Sequence, residues 1–164
     1  MAVNKRLQSL LAQSRVEYEL LPHREAFTAQ EVAQTTHVRG RKFAKVVLVR
    51  AEHGEFLMAV IPASEHVDLG LLARVSGHDH LELATEGEML RIFPDCEVGA
   101  MPPFGNLYNV PIYLDVCLVH EDDIIFQAGN HHEVVRIPYA QYERLARPFA
   151  KVASLHRAGA AAAV

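Results

Sequence analysis

The chain has 164 residues and a formal net charge of −4, with 50% hydrophobic and 22% charged residues. This is the size and balance of one ordinary domain with its own core, and it excludes a disordered chain. The acidic balance excludes a surface that is basic throughout, but leaves room for a local basic patch facing a phosphate-bearing partner.

Residues 4–14 read as a helix, with Leu7, Leu10 and Leu11 on one face. This opening is amphipathic rather than a continuous apolar leader, and no apolar run approaches the ~20 residues of a membrane span. Val16 to Leu21 alternates apolar Val16, Tyr18 and Leu20 with Glu17 and Glu19 and predicts a first strand, ended by Pro22. Thr28-Ala29-Gln30-Glu31 matches a capping box and predicts a short helix to about Thr36. After a polar, basic connection, Ala44–Arg50 and Phe56–Ile61 predict two strands joined by a turn at Glu52-His53-Gly54-Glu55.

Asp68 is placed to cap a helix through Val75, with Gly77 just past its end. Leu81–Ala84 predicts a short strand. Thr85-Glu86-Gly87-Glu88 is a second capping box, opening a helix that stops before Pro94. Glu97–Met101 predicts a short strand, and Ile112–Val119 a long, central one. Ile124–Gln127 and Val134–Ile137 predict a hairpin around Ala128-Gly129-Asn130. Pro138 suits the first residue of a last helix, ending before Pro148. Hairpin-length links between several strands favour an α+β fold: a mixed, largely antiparallel sheet with flanking helices. Residues 1–156 read as one domain and 157–164 as an Ala-rich tail.

Cys96 and Cys117 are the only cysteines. Two thiols without a framework fit a reducing compartment, and the expected location is the cytoplasm. Cys96 follows Pro94-Asp95 and reads as a small apolar group rather than a nucleophile. No Gly-x-Ser-x-Gly elbow, Gly-rich phosphate cradle or standard zinc pattern occurs. Ten histidines include His78-Asp79-His80 and His131-His132. A metal-dependent hydrolase built on His78, His80 or His131 is one reading; the expectation here is no metal and no cofactor.

Two features stand out. The first is Arg39-Gly40-Arg41-Lys42-Phe43-Ala44-Lys45-Val46-Val47-Leu48-Val49-Arg50, with five basic residues and no acidic one. Lys45 opens an apolar strand, so it is expected half-buried and facing an anion of a ligand or a carboxylate of the protein. The second is Gly99-Ala100-Met101-Pro102-Pro103-Phe104-Gly105, through which no helix or central strand can run. Such a stiff loop can present backbone N–H groups to a carbonyl or oxyanion. A plain structural turn is the alternative.

Lys45 at the head of Lys-Val-Val-Leu-Val, the Gly99-x-x-x-Pro103 loop followed by Phe104-Gly105, and Ile125-Phe126-Gln127-Ala128-Gly129-Asn130-His131 occur in one order. Together they resemble the YbaK/prolyl-tRNA-synthetase-associated editing domain family, over about Thr28 to Tyr142. No synthetase domains accompany them, which resembles the free-standing, trans-acting members. The resemblance implies a mixed, largely antiparallel sheet or distorted barrel. It also implies hydrolysis of the ester joining a wrong amino acid to tRNA, often tRNA for proline, with a ribose hydroxyl of the tRNA helping to activate water. Lys45 would hold the terminal adenosine or its phosphate. The backbone at Gly99 and Ala100 would bind the ester carbonyl, and His131 (rather than His132) would place the sugar or aminoacyl group. Met101, Pro102, Pro103, Phe104 and Gly129 would line the substrate, with Phe43, Met58 and Ile61 as further candidate pocket walls. Arg39, Arg41 and Lys42 would contact the tRNA backbone, and a partner synthetase is possible. The competing reading is a non-catalytic module that binds a nucleotide or an aminoacyl-tRNA end.

Overall fold

The computed structural model describes residues 4–22 and 43–157. The expected helix at Thr28, the Arg39-Arg41-Lys42 group and residues 158–164 lie outside them. Helix α1 (Lys5–Gln13) starts where the Asn4 side chain accepts from the Leu7 N–H, and it buries Leu7 and Leu11. Strand β1 (Glu19–Pro22) is shorter than expected, with Val16 buried before it. Tyr18 and Leu20 are 38% and 42% exposed, while Leu21 packs on Phe43, Ile125 and Val134.

Strands β2 (Ala44–Ala51) and β3 (Phe56–Pro62) form the expected antiparallel hairpin, closed by an Ala51 N–H to Glu55 carbonyl bond of 2.8 Å. Both have core on each face, which is why they read as near-continuous apolar runs. Strand β4 (His66–Val67) leads into helix α2 (Leu69–Ser76), capped by Asp68 and ended by Gly77 at φ +78°. Strand β5 (Leu81–Leu83) follows. Helix α3 (Glu86–Ile92) carries the full Thr85–Glu88 capping box.

Two expectations change in the second half. Glu97–Met101 is loop, not strand. The Ile112–Val119 run divides into strand β6 (Ile112–Asp115) and a single turn of helix, α4 (Val116–Val119). Asp115 makes the break: its carboxylate accepts from the Cys117 N–H at 2.8 Å and so caps the turn. Apolar periodicity cannot distinguish these alternatives in so short a run. Strands β7 (Asp123–Gln127) and β8 (Glu133–Pro138) form the predicted hairpin, and helix α5 (Tyr139–Ala146) follows Pro138. Strands β9 (Ala150–Val152) and β10 (His156–Arg157) complete the chain, so the first residue of the expected tail is strand.

The order β5-β2-β3-β6-β9 makes a mixed sheet, with β6 parallel to both neighbours. A second sheet, β1-β8-β7, is antiparallel, and β10 pairs with β4. A parallel bridge from Phe43 to Ile125 joins the head of β2 to β7. The fold is therefore α+β and largely antiparallel, as expected, and no closed barrel forms among the described residues. The main core lies between the two sheets, where Leu48, Met58, Leu114, Phe104, Phe126 and Tyr142 meet α1. A second core, on the other face of the five-stranded sheet, holds Val49, Ile61, Leu72 and Leu155.

Asn4 joins these parts. Its N–H donates to the Ala128 carbonyl at 2.9 Å, and its amide to the Asp95 carbonyl at 3.0 Å, from a buried position. Replacing it by Ala removes the helix cap and the donor to the Asp95 carbonyl. We expect Asn4→Ala to cost about 1–3 kcal/mol, seen as a lower urea midpoint with an unchanged slope.

Candidate functional site

Gly99 sits at φ +82°, a conformation that glycine reaches without Cβ strain. It is exposed, whereas Ala100 to Gly105 are buried. The loop is tied at both ends. At its entry the Glu97 N–H donates to the Gly129 carbonyl and the Gly129 N–H to the Ala100 carbonyl, each at 2.9 Å. At its exit the buried Tyr142 hydroxyl donates to the Pro103 carbonyl at 2.8 Å. There Phe104 lies edge-on to Phe126 and Tyr142, at 5.4 and 5.3 Å. Burial raises the Tyr142 pKa well above the usual phenol range, so this donor keeps its proton.

His131 is 6% exposed and faces the same loop. Its Nε2 lies 2.8 Å from the Val98 carbonyl, which can only accept, so Nε2 carries the proton. Its Nδ1 is then an acceptor for the Gln127 amide at 3.4 Å. The His131 N–H donates to the Glu97 carboxylate at 3.2 Å. With both ring nitrogens engaged, this imidazole holds Val98 in place immediately before Gly99. The His132 backbone N–H donates to the Asn130 side-chain oxygen at 2.8 Å. Gln127 and Glu97 were not singled out from the sequence. The only available signal was the Gln127–His131 spacing across a tight turn.

The Ala100 N–H is also engaged, on the Glu97 carbonyl at 3.0 Å. Among the described residues the Gly99, Met101 and Gly105 N–H groups of the loop meet no acceptor, and the Ala100 N–H is not among these open donors. Gly129, at φ +97°, is crowded as well: a Cβ there would stand 2.7 Å from the Asn4 Cβ.

Lys45 is half-buried, directly across from Ile61. Its side chain leaves β2 on the face of Val47 and Val49, not on that of Ala44 and Leu48. Burial lowers its pKa, with the Glu65 carboxylate partly opposing this. The Phe43–Ile125 bridge is parallel, so two residues further along each chain stand Lys45 and Gln127. This sets the lysine level with the residue that holds His131. The candidate pocket walls do not all share this side. Phe43 and Ile61 lie on Lys45's face, whereas Met58 and Met101 belong to the main core behind the sheet.

The remaining candidates resolve into structural pairs. Arg50, last of the basic run, bonds Glu82 at 2.8 Å and Glu88 at 3.1 Å. His78 faces Glu52 at 3.5 Å and His80 faces Glu82 at 3.1 Å, and neither converges with His131. Burial pushes the Cys96 thiol up to about 12, which removes it as a nucleophile at neutral pH.

The aminoacyl-tRNA editing domain model matches residues 23–145. The chain belongs to this family. No curated protein matches its sequence. Among solved structures, the hypothetical protein APE2540 superposes with a TM-score of 0.79 at 16% identity, over 90% of this chain and 97% of that one. A protein from computational grafting of epitopes onto scaffolds gives 0.76 at 24% identity, over 94% and 96%. A candidate trans-editing enzyme for prolyl-tRNA synthetase gives 0.74 at 23% identity, over 90% and 93%. At these identities the structures share the fold with this editing-domain chain. No helix among the described residues is long and apolar enough to cross a membrane.

The ties around the loop give two expectations. In His131→Ala the Glu97 and Gly129 amides should exchange hydrogen about 10-fold faster than in the wild type, the cost of roughly one hydrogen bond. Native protein treated with iodoacetamide at pH 8 should leave Cys96 unmodified by mass spectrometry, and unfolded protein should be modified there.

Proposed function

We propose that this editing domain acts in trans as a deacylase. Water adds to the ester of a mischarged tRNA, with tRNA for proline as the carrier and a small wrong amino acid as the group removed, giving free tRNA and free amino acid. What supports the reading is the clamped Gly99 loop, with Lys45 level with Gln127 of the His131 turn, in a chain matching the editing-domain family. Fixed backbone donors stabilise charge on an ester carbonyl without reorganising, worth a factor of ~10²–10³ per donor.

In this mechanism the Gly99 N–H, with that of Met101, receives the carbonyl oxygen. The Lys45 ammonium meets the terminal adenosine or its phosphate. Pro102 and Pro103 stiffen the loop. Phe104 anchors it from the core, and Gly129 lets the turn approach closely. His131 is a positioning residue: it orients Val98 and hence Gly99, and it has no ring nitrogen left for proton transfer. The Cys96 thiol stays protonated. As the family resemblance implies, a ribose hydroxyl of the tRNA helps to activate the water. Arg39, Arg41 and Lys42 contact the tRNA backbone, with Arg50 excluded by its two carboxylates. A partner synthetase supplies the mischarged tRNA, in the cytoplasm.

The test is deacylation of a panel of mischarged tRNAs. Lys45→Met should lower the rate at least about 10²-fold while leaving the thermal midpoint equal or raised, because a partly desolvated charge is replaced by an apolar chain of similar length. Gly99→Ala, forced to φ +82°, should cost about 1–2 kcal/mol of loop geometry and roughly 10-fold in rate. Hydrolysis of no substrate in the panel would leave the binding-module reading. Affinity for tRNA should fall steeply with added salt.

A further inference from the structure

A second cluster of reactive side chains gathers at the end of β6. Asp115, Cys117 and His156 each offer one donor atom, and the three atoms lie within 4.8 Å of one another. Asp115 ends β6 with its side chain 0% exposed, and one carboxylate oxygen already accepts from the Cys117 N–H. The other faces His156 Nδ1. The His156 side chain is 20% exposed and Cys117 is partly exposed, so a small ion can reach the cluster from solvent. The histidine arrives from a distant part of the sequence, because β10 pairs with β4 at His156–Val67.

A fully buried carboxylate needs a compensating charge. One nitrogen, one carboxylate oxygen and one sulfur within this separation form a donor set suited to a borderline cation at bond lengths of about 2.0–2.3 Å. We propose that Asp115, Cys117 and His156 bind one divalent transition-metal ion of the zinc class. Binding displaces the Cys117 thiol proton to solvent, and a water takes the fourth position. The ion staples β10 to the end of β6. Continuing the β3–β6 register past Val60–Leu114 sets Ile61 beside Asp115. The site is thus two strands, about 10 Å, across the sheet from Lys45. It lies on the opposite side of β2 from Ile125 and the His131 turn.

The test uses the full chain stripped with a chelator, exposed to excess Zn²⁺, desalted and analysed for bound metal. The expected result is about one ion per chain and a thermal midpoint about 5 °C higher than in chelator. Cys117→Ser and His156→Gln should each weaken binding at least about 10-fold and abolish the shift, while His78→Gln/His80→Gln should retain both. Co²⁺ in place of Zn²⁺ should give a thiolate-to-metal absorption band that Cys117→Ser lacks. Absence of retained metal in the wild type overturns the site, as does equal binding by Cys117→Ser. Deacylation is not the readout, so failure here leaves the editing reading intact.

Discussion

The site depends on the pairing of the Gly99 loop with the Gly129 turn. Two backbone bonds, Glu97 to Gly129 and Gly129 to Ala100, close a contact between segments about thirty residues apart in sequence. A loop with two prolines is locally stiff, but stiffness alone does not say where its donors point. The turn supplies that direction, and His131 secures it with a proton on the Val98 carbonyl. The approach is close enough that Gly129 touches Asn4, so the N-terminal helix is part of the same construction.

Rigidity on the core side of this loop contrasts with exposure at its tip. Phe104 and Tyr142 hold Pro103 in the main core, and Gly99 alone of the Gly99–Gly105 stretch is exposed. This packing fixes the backbone direction of the loop before anything binds there. Lys45 is the opposite case. Its charge is disfavoured by burial, with the Glu65 carboxylate opposing this, which makes it a poor stabilising residue.

The histidines show how misleading composition can be. Those most suggestive of a metal, His78 and His80, are each engaged by a glutamate. His131 is a hydrogen-bonded clamp. The one histidine that meets two other metal-type donors among the described residues is His156, which no local motif marks. Its partners Asp115 and Cys117 sat inside an apolar run that reads as plain strand. The capping carboxylate bent that run into a turn and brought both side chains to one point.

Local chemistry was legible directly. The Asp68 and Thr85 caps, the Gly77 stop, the β2–β3 and β7–β8 hairpins and the helix after Pro138 depend on neighbours within a few residues, and each formed where those neighbours predict. The ordered trio of Lys45, the Gly99 loop and the His131 turn was also enough to indicate the editing-domain family. Tertiary structure alone decided which N–H groups the loop leaves unbonded, which histidine faces it and which pocket-wall candidates share Lys45's face. It also decided where β6 ends and that β9 and β10 exist. These depend on partners far away in sequence, and a hydrogen bond between Gly129 and Ala100 has no signature in either segment until the fold brings them together.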